Sequence, residues 1–137
     1  MRTRLRVLVA VCWLVPAASA SAATPCEGLG TLTIPMGSVS ASLPVARGAF
    51  VPPGPAPAGT AQALYARLPE FCRTALTLMP SSDSDIKVEV WLPASGWNGK
   101  FQAVGNGGFA GTLPYAAMAR AVLRGSHSGR AIPRARS

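Results

Sequence analysis

Five acidic residues and one histidine in 137 residues leave little from which a metal centre could be built, and no Cys/His cluster has metal-ligand spacing. Asp83 and Asp85 lack the further acids and the glycine of a calcium loop, so two short acids opening a strand read as turn formers. No Gly-x-Ser-x-Gly elbow exists; Ser81, Ser82 and Ser84 lie outside any such motif, which excludes a nucleophile of that kind. No Gly-x-Gly-x-x-Gly segment and no Gly-Lys-Ser/Thr segment is present, which argues against dinucleotide and P-loop phosphate sites. His127, the only histidine, is flanked by Ser126 and Ser128, but sequence neighbours point apart and no orienting acid is near, so it is not read as catalytic.

Long hydrophobic runs are also missing. Leu5 to Val15 is the length of a signal peptide, too short to span a bilayer. Arg2, Arg4 and Arg6 precede it, Pro16 breaks it, and the small-residue stretch Ala17 to Ala23 offers cleavage after Ala20, Ala22 or Ala23. Residues 1–23 are therefore expected to be an export signal, giving a secreted or periplasmic chain with no membrane contact after cleavage. Cys12 leaves with the signal. The remaining pair, Cys26 and Cys72, is predicted to form a disulfide, with two unrelated buried thiols as the alternative.

The net charge of +8 raises the possibility of nucleic acid as a partner, but its distribution does not support one. Arg2, Arg4 and Arg6 lie in the signal, and Arg120, Arg124, Arg130, Arg134 and Arg136 lie close to the end of the chain. Between them Arg47, Arg67, Arg73, Lys87 and Lys100 balance Glu27, Glu70, Asp83, Asp85 and Glu89. No nucleic-acid partner is expected from a neutral body.

Strand-like pieces open the remaining chain: Thr31 to Ile34 alternates and stops at Pro35, and Val39, Ala41, Leu43 and Val45 repeat every second residue, with Pro44 confining that strand to an edge or ending it. Val51 to Pro57 is a stiff connector. Thr60 to Arg67 reads as a helix with Thr60 as N-cap, ended by Pro69. The clearest strand places Ile86, Val88, Val90 and Leu92 on one face and Lys87, Glu89 and Trp91 on the other. Trp97-Asn98-Gly99 is read as a hairpin turn that returns the chain through Lys100 to Val104. Trp91 and Trp97 fit hairpin or core packing, with a flat ligand platform as the alternative. Residues 125–137 have no period and many arginines, and are expected to form an unstructured basic tail.

Gly105-Asn106-Gly107-Gly108 follows the return strand directly, and Pro114 opens a helix in which Tyr115, Met118, Ala119 and Val122 share a face. Strand, glycine loop and helix let backbone N–H groups approach a developing oxyanion, while a plain tight turn is the alternative.

Phe71-Cys72-Arg73, Pro80 to Ile86, Glu89 to Pro93, Trp97 to Gln102 and Val104 to Gly111 together resemble the N-terminal part of the tannase and feruloyl esterase family. The resemblance covers Cys26 to about Gly125 and is densest from Phe71 to Arg120. It implies an α/β-hydrolase fold and exported serine carboxylic-ester hydrolases whose substrates are aromatic esters of the gallate and ferulate type. The family's Ser, Asp and His, the disulfide beside them, and its lid domain, which often binds calcium, have no counterpart here, so no cofactor is expected in this segment. The resemblance carries over only the loop, with Gly107 or Gly108 as candidates for one oxyanion-hole amide. At Gly125-Ser126-His127-Ser128 the match stops abruptly, which suggests a truncated or frameshifted gene product.

The expected fold is thus α/β, the N-terminal fragment of an α/β-hydrolase: a β-hairpin, the glycine-rich oxyanion loop and the first helix. Residues 24–124 form this partial domain, with Ile86, Val88, Val90 and Leu92 left partly uncovered. Two function classes follow. One is a piece of an aromatic-ester hydrolase, inactive alone. The other is a small exported module binding phenolic or sugar ligands through Trp91 and Trp97.

Overall fold

A computed structural model describes residues 24–105 and 111–135, so the predicted export signal lies outside the described residues. Five strands form one sheet: β1 (Gly37–Val45), β2 (Phe71–Leu78), β3 (Ser84–Pro93), β4 (Phe101–Ala103) and β5 (His127–Ala135). Two α-helices, α1 (Gly59–Ala66) and α2 (Tyr115–Leu123), accompany them. The strand order is β1-β2-β3-β5-β4. All neighbours are antiparallel except β4 and β5, which run parallel.

The strongest sequence pattern gives the central ladder. β2 and β3 pair from Phe71↔Pro93 to Leu78↔Ile86, joined by a turn in which the Ser81 hydroxyl donates to Asp83 Oδ1 at 2.7 Å. That contact also holds the Asp83 carboxyl below its usual range, as expected of a turn-forming acid. β2 itself escapes the sequence reading, because Phe71-Cys72-Arg73-Thr74 mixes polar and apolar residues without a clean period.

β3 buries its Trp91 and Glu89 face, and its aliphatic face is left partly uncovered, as expected. Trp91 is fully buried and Glu89 is 2% exposed, whereas Ile86, Val88, Val90 and Leu92 are half-buried. The reason is what covers each side. Phe50, Tyr65, Leu68, Phe71, Met118, Ala119 and Val122 close over Trp91, with the Phe50 and Phe71 rings 4.5 and 4.6 Å from its centroid. The indole is a large apolar surface, and enclosing it among aromatic rings removes that surface from water. On the aliphatic side, Cys72 lies opposite Leu92 and bonds Cys26 of the N-terminal turn.

Four expectations change. Trp97-Asn98-Gly99 does not close a hairpin: β5 lies between β3 and β4. The hydrogen bonds of that turn go elsewhere, from Asn98 N to Gly125 O and from His127 N to Lys100 O, both at 2.9 Å. Gly96 and Gly99 take φ of +69° and +78° to make the detour. Residues 125–135 are not an unstructured tail, because His127–Ala135 is strand β5. Its order comes from its neighbours rather than its own apolar content: Ser128 is fully buried and bonds Met118 O, and a Cβ on Gly129 would meet Phe101 Cζ at 2.8 Å. Small side chains are what such a slot admits.

The third change is at the front. Thr31 belongs to a 3-10 turn, Cys26–Thr31, and Ile34 makes only an isolated bridge to Gly37. β1 is an edge strand that carries Pro44, but an irregularity between Val39 and Ala41 shifts its alternation, burying Ser42 and exposing Leu43. The fourth concerns α1, which starts one residue early, with Ala58 rather than Thr60 at the N-cap and no side-chain cap.

Candidate functional site

β4, α2 and β5 form a βαβ unit, two adjacent parallel strands joined through a helix, set on an otherwise antiparallel sheet. The β4–α2 connection therefore leaves from the carboxyl end of a parallel strand, the edge where open α/β sheets bind ligands. Val104 N bonds Gly129 O at 3.1 Å, which ties the start of the connection to β5. At its other end Gly111 has φ +58° and Tyr115 N bonds Leu113 O at 2.9 Å as the helix begins. The candidates Gly107 and Gly108 lie between these points, outside the described residues.

The entrances of β4 and β5 are sewn together at the opposite end. Asn98 Nδ2 donates to Arg124 O at 2.9 Å and to Ser126 Oγ at 3.2 Å, while Asn98 Oδ1 accepts from Lys100 N at 3.0 Å. Gly125 has φ +74°, and a Cβ there would meet Gly96 O at 2.7 Å, so the close approach requires glycine. Trp97 stacks flat on His127, with centroids 4.5 Å apart and planes 7° from parallel. Burial lowers the His127 pKa below its usual value.

The other candidates disperse. Cys26 and Cys72 form the predicted disulfide, with Cα atoms 5.5 Å apart. Ser42 beside it donates to Cys26 O at 2.6 Å and bonds Thr74 Oγ1 at 2.9 Å. Trp91, one half of the supposed flat platform, is enclosed in the core, whereas Trp97 is exposed. Ser81 and Ser84 bond each other in the β2–β3 turn. His127 makes no hydrogen bond to a serine among the described residues, so no nucleophile–base pair is assembled there. Nor do the described residues gather three or more His, Cys, Asp or Glu side chains, so the calcium that the resemblance associates with a lid domain has no ligand set among them.

One cluster was missed. The Glu89 carboxylate accepts from Arg73 Nε at 2.5 Å and Nη2 at 3.1 Å, from Trp91 Nε1 at 2.6 Å and from the Tyr115 hydroxyl at 3.4 Å. The Arg73 guanidinium also lies 5.6 Å from the Phe50 ring centroid and 6.0 Å from that of Tyr115. Burial raises the Tyr115 pKa, and the negative charge of Glu89 raises it further. Alternation placed Glu89 and Trp91 on one face of β3, but the β2–β3 register, which sets Arg73 opposite Trp91, and the packing of α2, which brings Tyr115, have no signal in the linear sequence.

A mixed sheet with a parallel βαβ unit and few helices is here a portion of an esterase fold. The structure superposes on an esterase from Aspergillus oryzae with a TM-score of 0.64 and 25% identity, covering 78% of this chain and 21% of that one. Feruloyl esterase B from Aspergillus oryzae gives 0.62 and 30%, covering 76% and 20%. In sequence, an uncharacterized esterase of Xanthomonas campestris pv. campestris is 41% identical over 125 residues, 91% of this chain and 20% of its own length. Feruloyl esterase C of Talaromyces stipitatus is 36% identical over 81 residues, 59% of this chain and 15% of its own. No protein-family model matches the chain. The chain is thus similar in sequence and in fold to part of several esterases, feruloyl esterases among them, and it spans a fifth or less of the length of these two relatives.

Proposed function

We propose that this chain is the opening part of an exported serine carboxylic-ester hydrolase acting on aromatic esters of the ferulate and gallate type, and that it does not turn over such esters alone. Its contribution is the β4–α2 connection, where the amide of Gly107 or Gly108 donates to the oxyanion of the tetrahedral intermediate. The observation that carries this reading is the parallel β4–α2–β5 unit, which sends a glycine-rich connection out from the carboxyl end of β4. The first turn of α2 holds no acid, so no carboxylate there opposes an anion at the helix start. Ester substrates are supported by the names of the relatives, and the disulfide suits an oxidising compartment. No helix among the described residues is long and apolar enough to cross a membrane. Export rests on residues 1–23.

Two measurements test the reading. The purified chain should leave methyl ferulate and methyl gallate unhydrolysed, and turnover lost on replacing one of its own serines would overturn it. A chimera in which this chain replaces the matching segment of the Xanthomonas esterase should be active. Gly107→Pro or Gly108→Pro, which deletes the N–H, should then lower kcat about 100-fold with KM little changed. Full kcat in both variants would remove the loop from the mechanism.

A further inference from the structure

We propose that Glu89 is the positioning residue for the start of α2, acting through the Tyr115 hydroxyl with Arg73 as its counter-ion. The inference rests on the proposed role of the β4–α2 connection, since an amide donor is useful only where its flanking helix begins at a fixed place.

The two ends of α2 are held differently. At the C-terminal end, backbone bonds do the work: Gly125 N donates to Val122 O at 2.8 Å and Ser126 N to Ala121 O at 3.1 Å, while the Ser128 hydroxyl reaches Met118 O. At the start, Pro114 occupies the N-cap without a side-chain cap bond, and the preceding residues turn through Gly111. Backbone bonds close the first turn, but no side-chain cap fixes that end. Tyr115 is the first helical residue, and among the described residues its hydroxyl makes the side-chain hydrogen bond of the first turn, running to a carboxylate that is 2% exposed. Glu89 is itself held by two donors from Arg73 and one from Trp91, so it cannot follow Tyr115 if the helix shifts. Trp91 is fully buried in the aromatic core, which makes the anchor part of a closely packed cluster. Tyr115 packs flat near Trp91, with centroids 6.0 Å apart, and lies 5.4 Å from Phe50.

Packing of the Tyr115 ring and bonding of its hydroxyl make different predictions. Amide hydrogen exchange is read on the whole chain and on Tyr115→Phe and Glu89→Gln variants. The informative amides are Ala117 and Met118, which donate to Pro114 O at 2.9 and 3.2 Å. Tyr115→Phe should raise their exchange about tenfold while the β2–β3 ladder keeps its wild-type rates. Glu89→Gln should do the same and, in a Tyr65→Phe background, should lower the Tyr115 pKa followed by ultraviolet absorbance. Unchanged exchange at Ala117 and Met118 in Tyr115→Phe would overturn the proposal, as would a rise spread equally over β2 and β3. If Glu89→Gln does not fold, Tyr115→Phe carries the test. None of these readouts involves ester turnover, so failure of the oxyanion reading in the chimera is distinguishable from failure of this one.

Discussion

β1, β2 and β3 meet along antiparallel ladders of eight residue pairs each and are stapled by Cys26–Cys72, whereas β4 meets β5 over three pairs. The antiparallel region is thus held by long ladders and a covalent bridge on one face and by the aromatic cluster around Trp91 on the other. In the parallel region β5 is held to β3 by a ladder of eight pairs, whereas β4 depends on its three pairs with β5, on loop-to-loop bonds centred on Asn98 and on small residues that let α2 and Phe101 lie close to β5. The region's outer strand leaves Phe101 60% exposed. The candidate loop therefore grows from the less reinforced region, as is common where function needs local freedom.

The sharpest way to break this comparison is to remove the staple. The bridge closes a 46-residue separation, for which chain entropy gives about 4 kcal/mol, and native bridges of small exported domains are worth about 2–5 kcal/mol. A Cys26→Ala/Cys72→Ala variant should lower the urea midpoint by the corresponding amount, with the loss of exchange protection concentrated in β1 and the N-terminal turn. A loss of less than about 1 kcal/mol would show that the antiparallel region is held by its ladders and aromatic core alone.

A smaller effect should come from Asn98→Ala. Asn98 is exposed, but its side chain makes three hydrogen bonds, two of which link the β4 entrance to Arg124 and Ser126 while the third closes on Lys100. Its loss should cost about 1–2 kcal/mol, since part of each bond is replaced by water. Increased exchange at His127, Val104 and the α2 carboxyl end, without change in β2, is the expected pattern. If the cost equalled that of the disulfide, the contrast between the regions would be wrong.

The regions also differ in how much the sequence disclosed. β3 and α2 were visible because period-2 and period-3.6 patterns persist for a whole element. Chain proximity led to the hairpin reading, because consecutive strands commonly pair; here the bonds of Asn98 are satisfied by the α2–β5 connection, and β5 takes the place between. β5 was missed for the same reason that it forms: Ser128 and Gly129 are small to fit beneath α2 and Phe101, and smallness has no hydrophobic period. The Glu89 network is likewise a property of the β2–β3 register and of where α2 packs. The motif resemblance recovered the family without any of these details, since it rests on identities rather than on contacts.

The smallest predicted effect concerns pH and the parallel region alone. His127 stacks on Trp97 and is partly buried, and that burial depresses its folded-state pKa below the ordinary value of 6.5. The unfolded chain then binds the proton more readily than the folded one. Stability contributed by neutral His127 is present in full above pH 6.5, falls as pH drops from there toward the lower folded-state pKa, and is constant below it. Urea midpoints measured from pH 7.5 to 5 should fall slightly more steeply for the wild type than for His127→Gln, which has no imidazole to protonate. A protonated ring on Trp97 gains a cation–π attraction that works in the opposite direction. If His127→Gln instead shows the steeper fall, that attraction exceeds the cost of burial, and acid tightens the junction between the β4 and β5 entrances.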